Sequence, residues 1–195
     1  MKKNKEWWES FRWFYSSSGV LIVGGKNAES NDTLLRTHMG KGDIVFHTED
    51  PGSPFFVIKG YADKKTMKEA GIAAASYSQG WKKGLSNMKV MYAVAEQLSK
   101  DKGMKSGTWQ VKGRREVMNV KLELAIGITK DEKIIGGPVE SIRKKADKFV
   151  KILPGGKIKD EIVKEITRKI DGDESEVMKF VPAGKSHIIK RFFLI

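Results

Sequence analysis

The residues best suited to proton transfer lie close together in the sequence: Asp43, His47 and Glu49. A histidine near carboxylates can act as a general acid or base. The alternating residues around them predict a strand, and four residues along a strand span ~13 Å. Asp43 and His47 would therefore share one face without forming a hydrogen-bonded pair. In an enzyme, His47 would transfer the proton and Asp43 or Glu49 would position the substrate. Otherwise His47 contacts a phosphate or base edge, or is structural.

The sequence argues against several kinds of active site. His47-Thr48-Glu49 matches half of the zinc site of a nucleobase deaminase, but the other half needs two cysteines. The chain has no cysteine, and its histidines, His38, His47 and His187, are scattered. Gly24-Gly25-Lys26 lacks the spacing of a phosphate-binding loop. We therefore predict no catalytic set, no metal, no cofactor and no disulfide-linked partner.

A second group of candidate residues is a run of cations in the middle of the chain. Between Trp81 and Lys121 there are ten lysines and arginines against three acidic residues. Cations gathered by loops can contact phosphates, while amide, hydroxyl and indole groups contact sugars and bases. The alternative is a solvated lysine-rich surface. From this region we predict ten RNA-binding residues: Lys82, Lys83, Gln97, Ser99, Lys100, Lys105, Trp109, Lys112, Arg114 and Arg115.

Aromatic residues near the N-terminus offer stacking surfaces. Trp7, Trp8, Trp13 and Phe14 could each stack on an RNA base, a contact worth ~1–3 kcal/mol. We expect most of them instead to pack the N-terminal segment onto the core.

The whole chain is basic. Its 37 lysines and arginines exceed its 24 aspartates and glutamates, giving a net charge of +13 and a pI near 9.7. Such a domain generally faces a polyanion, because counterion release favours contacts with phosphates. A lysine-rich surface of the thermophile type is the alternative. No apolar run is long enough for a membrane span or a signal segment, so we expect a cytoplasmic protein without a membrane partner.

The hydrophobic patterns predict the elements that position these groups. Alternation and turn residues predict strands at 11–15, 20–23, 43–47, 55–58, 90–95, 108–112 and 117–127. A short helix is predicted over 27–36, with Asn27 as its N-cap. The loop at 48–54 predicts a hairpin that brings Ser53 back toward His47.

A long helix is predicted to start at the capping-box sequence Thr66-Met67-Lys68-Glu69 and to end at Gly84. Residues three and four apart trace one face of it: Met67, Ala70, Ala74, Tyr77 and Trp81. Small residues flank this face, which favours close packing on a sheet.

The order of these elements is typical of an α+β protein with a largely antiparallel sheet packed with one long and one short helix. We predict that this core covers residues 1–128. Residues 129–195 are predicted to form a smaller α/β C-terminal extension, with helices at 141–148 and 159–170 and a strand at 149–153. The extension carries a second candidate cationic patch: Arg143, Lys144, Lys145 and Lys148.

Several motifs, in order, resemble the NFACT-R domain family. Residues 7–19, residues 21–28 and Asn31 match its opening pattern, and residues 42–49 are similar to its Asp–hydrophobic–aromatic–hydrophobic–His signature. Further matches are Gly52-Ser53, Thr66-Met67, Glu69-Ala70-Gly71, Tyr77-Ser78, Trp81, residues 97–100 and Ser106-Gly107. The resemblance implies RNA binding, as in the NEMF, Tae and RqcH proteins of ribosome-associated quality control, which engage tRNA on the large ribosomal subunit. The chain resembles the standalone form of the family, without the other domains of those proteins.

Two functions are open at this point. The first is an RNA-binding protein for tRNA or ribosomal RNA, with the large ribosomal subunit as a further candidate partner. In it, the cations contact phosphates, and Asn31, Asp43, His47 and Ser53 shape the recognition surface. The second is an RNA-modification enzyme, or a component of one, that acts on tRNA through His47. Duplex DNA is a third candidate ligand, since electrostatics alone does not separate polyanions.

Overall fold

The computed structural model describes residues 5–50 and 52–189. In chain order the elements are β1 (Arg12–Tyr15), β2 (Leu21–Gly24), α1 (Ala28–Thr33), β3 (Ile44–Thr48), β4 (Phe56–Lys59), α2 (Lys64–Ser76), α3 (Gln79–Lys82), β5 (Asn87–Val94), β6 (Leu98–Ser99), β7 (Gln110–Val111), β8 (Glu116–Lys121), β9 (Leu124–Ile128), β10 (Ile134–Gly137), α4 (Val139–Arg143), β11 (Lys148–Lys157), α5 (Lys159–Ile170), α6 (Glu174–Met178) and β12 (Ser186–Ile188). A π-helical turn, Leu34–His38, continues α1.

Six strands form one sheet in the order β1-β2-β4-β3-β5-β8, and every neighbouring pair is antiparallel. The β1–β2 hairpin closes at Gly19, whose φ of +85° suits glycine. Ser16 Oγ holds this turn by accepting hydrogen bonds from the amides of Ser18 and Val20, at 3.3 and 3.1 Å. The predicted α+β class with an antiparallel sheet is confirmed.

The long helix α2 covers one face of this sheet. Ala70, Ala73 and Ala74 of the helix have no exposed surface. A Cβ atom added to Gly71 would lie 2.9 Å from Met118 Sδ and 3.2 Å from a methyl group of Val120. The helix can therefore approach the sheet closely because its inner face is small, as its sequence predicts.

The predicted ends of this helix need correction. Its N-cap is Asp63, whose carboxylate accepts a hydrogen bond from the Thr66 amide at 2.8 Å. The predicted capping box at residues 66–69 is therefore wrong. The Glu69 carboxylate instead accepts a hydrogen bond from the Ser17 amide at 2.7 Å. The helix also breaks before Trp81, because Ser78 caps the separate helix α3. Gly84, with φ of +71°, ends this region as predicted.

Irregular structure covers the opposite face of the sheet. A second buried cluster there contains Leu34, Leu35 and Val57. Partly buried aromatic and apolar side chains pack against this cluster: Trp7, Trp8, Trp13, Leu21, Met39, Leu98 and Trp109. The N-terminal tryptophans therefore pack on the sheet, in line with the expectation for most of them.

A second antiparallel sheet has the order β10-β9-β11-β12. The predicted strand at 117–127 is wrong as a single strand, since β8 belongs to the first sheet and β9 to the second. The chain changes sheets at Leu122, which is buried and donates its amide hydrogen to the Ser86 carbonyl at 3.0 Å. The alternation of residue types continues through this point, so the pattern alone could not reveal the break.

Other boundaries shift by smaller amounts. The strand predicted at 108–112 is reduced to β7, the helix predicted at 141–148 is the shorter α4, and the strand predicted at 149–153 is the longer β11. The helix predicted at 159–170 coincides with α5. Because β9 and β11 pair directly, residues on both sides of 128 share one buried cluster. Whether residues 1–128 fold alone stays a prediction. Among the described residues, no helix is both long and apolar enough to cross a membrane.

Candidate nucleic-acid interface

Asp43, immediately before β3, has a structural partner. Its carboxylate forms an ion pair with Lys59 of β4 and accepts a hydrogen bond from the Gly40 amide at 2.8 Å. Lys59 also donates to the carbonyl oxygen of His38 at 2.6 Å. Asp43 is buried, so this network fixes the turn that leads into β3.

His47 on β3 supports the neighbouring loop. Its Nε2 atom lies 3.1 Å from the Ser53 carbonyl oxygen, which places Ser53 beside His47 as the hairpin predicts. Since a carbonyl oxygen only accepts, Nε2 carries the proton. The imidazole also stacks on Phe55, with ring centroids 4.2 Å apart. Burial lowers the pKa of His47 although backbone hydrogen bonds at Thr48 and Ser53 oppose this, which favours the neutral ring at pH 7.

Asn31 holds the same loop from the other side. Its Nδ2 atom donates to the Ser53 carbonyl at 3.3 Å, and its Oδ1 atom accepts from the Phe55 amide at 3.1 Å. A Cβ atom on Gly25 would lie 1.9 Å from that Oδ1, so only glycine fits there. The predicted residues Asn31, His47 and Ser53 therefore form one connected unit. No hydrogen bond or ion pair joins Asp43, His47 and Glu49, which are all among the described residues.

A partly buried ionic hub centred on Asp32 ties the loop between β6 and β7 to α1. Asp32 accepts hydrogen bonds from Lys100 Nζ at 2.7 Å, Trp109 Nε1 at 2.9 Å and Ser106 Oγ at 3.2 Å. Burial alone would raise the pKa of Asp32, but the hydrogen bonds from Lys100, the Gly107 amide and Trp109 lower it to about 2. The Lys100 side chain is only 7% exposed. Lys100 and Trp109 thus hold the loop in place, and their contact with RNA stays a prediction.

Gln97 organises the segment that follows this loop. Its Nε2 atom donates to the carbonyl oxygens of Lys112 and Arg114, at 3.0 and 2.6 Å. Ser99, the other polar residue predicted here, has a buried hydroxyl without a partner among the described residues. Gln97 therefore presents the backbone of residues 112–114 in one conformation, with the cationic side chains outward.

Besides Lys100, which belongs to the Asp32 hub, the predicted cations lie on two segments of the chain. Lys105, Lys112, Arg114 and Arg115 are all exposed on or just after the β6–β7 loop. Arg114 also pairs with Glu116 at 3.0 Å. The other two, Lys82 and Lys83, are exposed at the end of α3, and Lys83 pairs with Asp50 at 3.0 Å. The α3 lysines thus lie on a different element from the other four, and contact of any of these cations with RNA stays a prediction.

A polar cleft of about 140 Å³ opens beside the Asn31–His47–Ser53 unit. Three segments form its walls: residues 25–28 after β2, residues 52–54 between β3 and β4, and residues 106–108 of the β6–β7 loop. Arg12 and Tyr77 complete the lining. The lining includes two cations, Arg12 and Lys26, and no carboxylate. Such a cleft is suited to an anionic ligand.

Sequence reasoning missed Arg12 as a site residue. Its guanidinium lies 4.2 Å from the centroid of the Tyr77 ring and donates to the Lys179 carbonyl at 3.3 Å. Burial lowers the pKa of Arg12, with Tyr77 opposing this. A single cation between Phe11 and Trp13 in an otherwise aromatic strand is the sequence signal that could have found it.

The fold and this site define a class: an α+β domain in which loops around an antiparallel sheet form a cationic polar cleft. A family model described as the NFACT protein RNA binding domain matches residues 10–113. The chain belongs to this family, which confirms the resemblance inferred from its motifs.

The chain spans less than a third of the length of the curated relatives it matches. It is 31% identical over 205 residues to an archaeal Rqc2 homolog of Methanocaldococcus jannaschii, covering 98% of this chain and 30% of that protein. It is 34% identical over 95 residues to the Rqc2 homolog RqcH of Bacillus subtilis, covering 48% of this chain and 16% of that protein. The C-terminal part of the fibronectin/fibrinogen-binding protein of Streptococcus suis has a similar fold, with a TM-score of 0.53 and 24% identity over 62% of this chain and 47% of that one.

Proposed function

We propose that this chain is a cytoplasmic RNA-binding module of ribosome-associated quality control, with tRNA or ribosomal RNA as its ligand. Membership of an RNA-binding family supports this, as does the similarity to Rqc2 and RqcH proteins. The observation that carries the proposal is the polar cleft, whose lining has two cations and no carboxylate. The loop that forms one wall also bears Lys102 and Lys105, both exposed.

In this proposal, the exposed cations contact phosphates, while the cleft accepts part of the backbone. Asn31 and His47 position the Ser53 wall, and the Asp32 hub positions the wall at residues 106–108. If about six phosphates are contacted, the logarithm of affinity should fall with the logarithm of salt concentration at a slope of roughly −4 to −5. The large ribosomal subunit is a candidate location of that RNA.

The test compares two triple charge reversals in a fluorescence-anisotropy titration with labelled tRNA. The first changes the exposed group Lys105→Glu, Lys112→Glu and Arg115→Glu. The control changes three other exposed lysines: Lys130→Glu, Lys133→Glu and Lys164→Glu. Losing three phosphate contacts at 0.1 M salt should weaken binding at least ~100-fold, whereas the control should lose much less. Equal losses of tRNA affinity in the two variants would mean that binding depends only on net charge. Lys105, Lys112 and Arg115 would then be removed from the proposed RNA-binding surface.

Competition by ribosomal RNA fragments and duplex DNA, at matched phosphate concentration, then separates the possible ligands. The enzyme hypothesis is tested by incubating the protein with bulk tRNA and measuring nucleosides by mass spectrometry. A new nucleoside that disappears in His47→Ala would favour an enzyme. The contacts of Asp43 and His47 with Lys59 and Ser53 provide no support for that alternative.

A further inference from the structure

Arg12 is a half-buried cation with few acceptors around it. Within the described residues, the Arg12 guanidinium makes one hydrogen bond, from Nη1 to the Lys179 carbonyl. An arginine has five N–H donors, so most of the Arg12 donors have no acceptor within residues 5–50 and 52–189. No carboxylate in residues 5–50 or 52–189 lies within 4.0 Å of it. Burying a cation without an opposite charge is costly unless a ligand supplies one.

Three lysines from distant parts of the sequence, Lys26, Lys159 and Lys179, add positive charge to the region of Arg12. Lys26 lines the same cleft, and its Nζ donates to the Ser10 carbonyl at 2.8 Å. Burial lowers the pKa of Lys26, and the charges of Arg12, Lys5 and Lys179 lower it further. Burial and then Arg12 likewise lower the pKa of Lys159. These cations repel one another in the free protein.

Three carboxylates lie near these cations, and Asp160 of α5 partly offsets the charge of its neighbour Lys159. The other two are paired with lysines outside the cleft lining. Lys179 forms an ion pair with Glu176, one turn away on the outer end of α6. Asp32, behind the loop wall, is already engaged by Lys100. The cleft lining, with Arg12 and Lys26 and no carboxylate, therefore retains a positive field that favours an anion.

We propose that Arg12 and Lys26 form a binding site for one phosphate group in the cleft. The planar guanidinium can donate two parallel hydrogen bonds to phosphate oxygens, and the ammonium adds a point charge. Hydroxyl and amide groups of Asn27, Ser106 and Thr108 also line the cleft. The source of the phosphate is the RNA backbone, which rests on the proposed function; a free phosphate compound would use the same groups.

The main test compares Lys26→Gln with Lys121→Gln, an identical change on β8 at the opposite edge of the sheet. Loss of one phosphate contact should reduce the salt slope of tRNA binding by about 0.7–0.9 and affinity roughly five- to eightfold at 0.1 M salt. Lys121→Gln should leave both nearly unchanged. Arg12→Lys retains the charge but loses the donor fork, so it should also weaken binding.

A second measurement uses inorganic phosphate as the probe and follows the Arg12 Nε–H signal by NMR. A saturable shift that is lost in Lys26→Gln and reversed by tRNA supports the site with RNA as the source. A saturable shift with an unchanged tRNA salt slope overturns the RNA source and assigns the site to a free phosphate compound. No shift and no change in slope overturns the site while leaving RNA binding intact. If wild-type protein fails to bind tRNA, the proposed function fails, and the phosphate titration alone decides the site.

Discussion

The two faces of the six-stranded sheet are stabilised in different ways. On the α2 face, small residues and Trp81 are almost fully buried, and close packing fixes the helix. On the opposite face, partly buried aromatic side chains lie under irregular segments, and the Asp32 hub ties those segments down. The first face is held by the close packing of a helix, whereas the second combines a smaller buried cluster with a few polar contacts.

This difference explains where a binding site can lie. The cleft opens where the loop-covered face meets the end of α2, between Asn31 and Tyr77. Loops expose backbone and polar groups that a packed helix would bury. The Asp32 hub ties the wall at residues 106–108 to α1, and Asn31 and His47 hold the wall at Ser53, so contacts within the protein support both walls.

The largest expected effect is on the α2 side. Trp81 is 1% exposed, and its Nε1 donates to Ser186 Oγ at 3.0 Å, which links α3 to β12. Trp81→Ala should lower the free energy of unfolding by about 3–5 kcal/mol, because it leaves a cavity and an unpaired hydroxyl. Urea denaturation measures this. A loss below about 1 kcal/mol would show that packing on this face is less important than its burial suggests.

The next effect is on the opposite face. Asp32→Asn leaves the ammonium group of Lys100, in a side chain that is 7% exposed, without its carboxylate. We expect a loss of about 3 kcal/mol, together with faster hydrogen exchange in residues 100–109. Asp43→Asn, which also removes a carboxylate paired with a lysine, is the control for local specificity. Hydrogen exchange that speeds up equally in both variants would contradict the hub's local role.

Acid should reduce the difference in unfolding free energy between wild type and Asp32→Asn. The folded pKa of Asp32 is about 2, below its unfolded value of 3.8. A carboxylate whose pKa is lower in the folded state stabilises the protein fully at a pH above its unfolded-state pKa. This stability is lost as the pH falls through the folded-state pKa. Between pH 5 and pH 2 the gap between the two proteins should therefore shrink by about 2 kcal/mol. Denaturation curves that stay equally far apart would show that the hub does not depend on the charge of Asp32.

The sequence predicts the local features of both faces better than their long-range contacts. The alternation of β3 and the amphipathic pattern of α5 identify those elements, because each depends on neighbouring residues. The sheet change at Leu122 is hidden, because the same alternation serves two sheets. The Asp32 hub joins residues 68 to 77 positions apart, and no spacing rule connects them.

In the candidate site, too, local contacts are predicted from the sequence better than long-range ones. Ser53 was placed beside His47 correctly, since a short hairpin determines that contact. The surroundings of Arg12 could not be foreseen, because Lys159 and Lys179 reach it from the second sheet's helices. Charge composition predicts an anionic partner, but only the fold determines which cations meet.

The smallest expected loss of unfolding free energy is at Trp109, which, like Trp81, joins distant segments of the chain. Trp109 Nε1 donates to Asp32 at 2.9 Å, whereas its ring is only partly buried. Trp109→Phe keeps a ring and removes this one hydrogen bond, so it should cost about 1 kcal/mol in urea denaturation. Trp81→Phe should cost more, because it also loses packing in a fully buried position. If Trp109→Phe lowers the free energy of unfolding as much as Asp32→Asn does, the indole rather than the carboxylate is the centre of the hub.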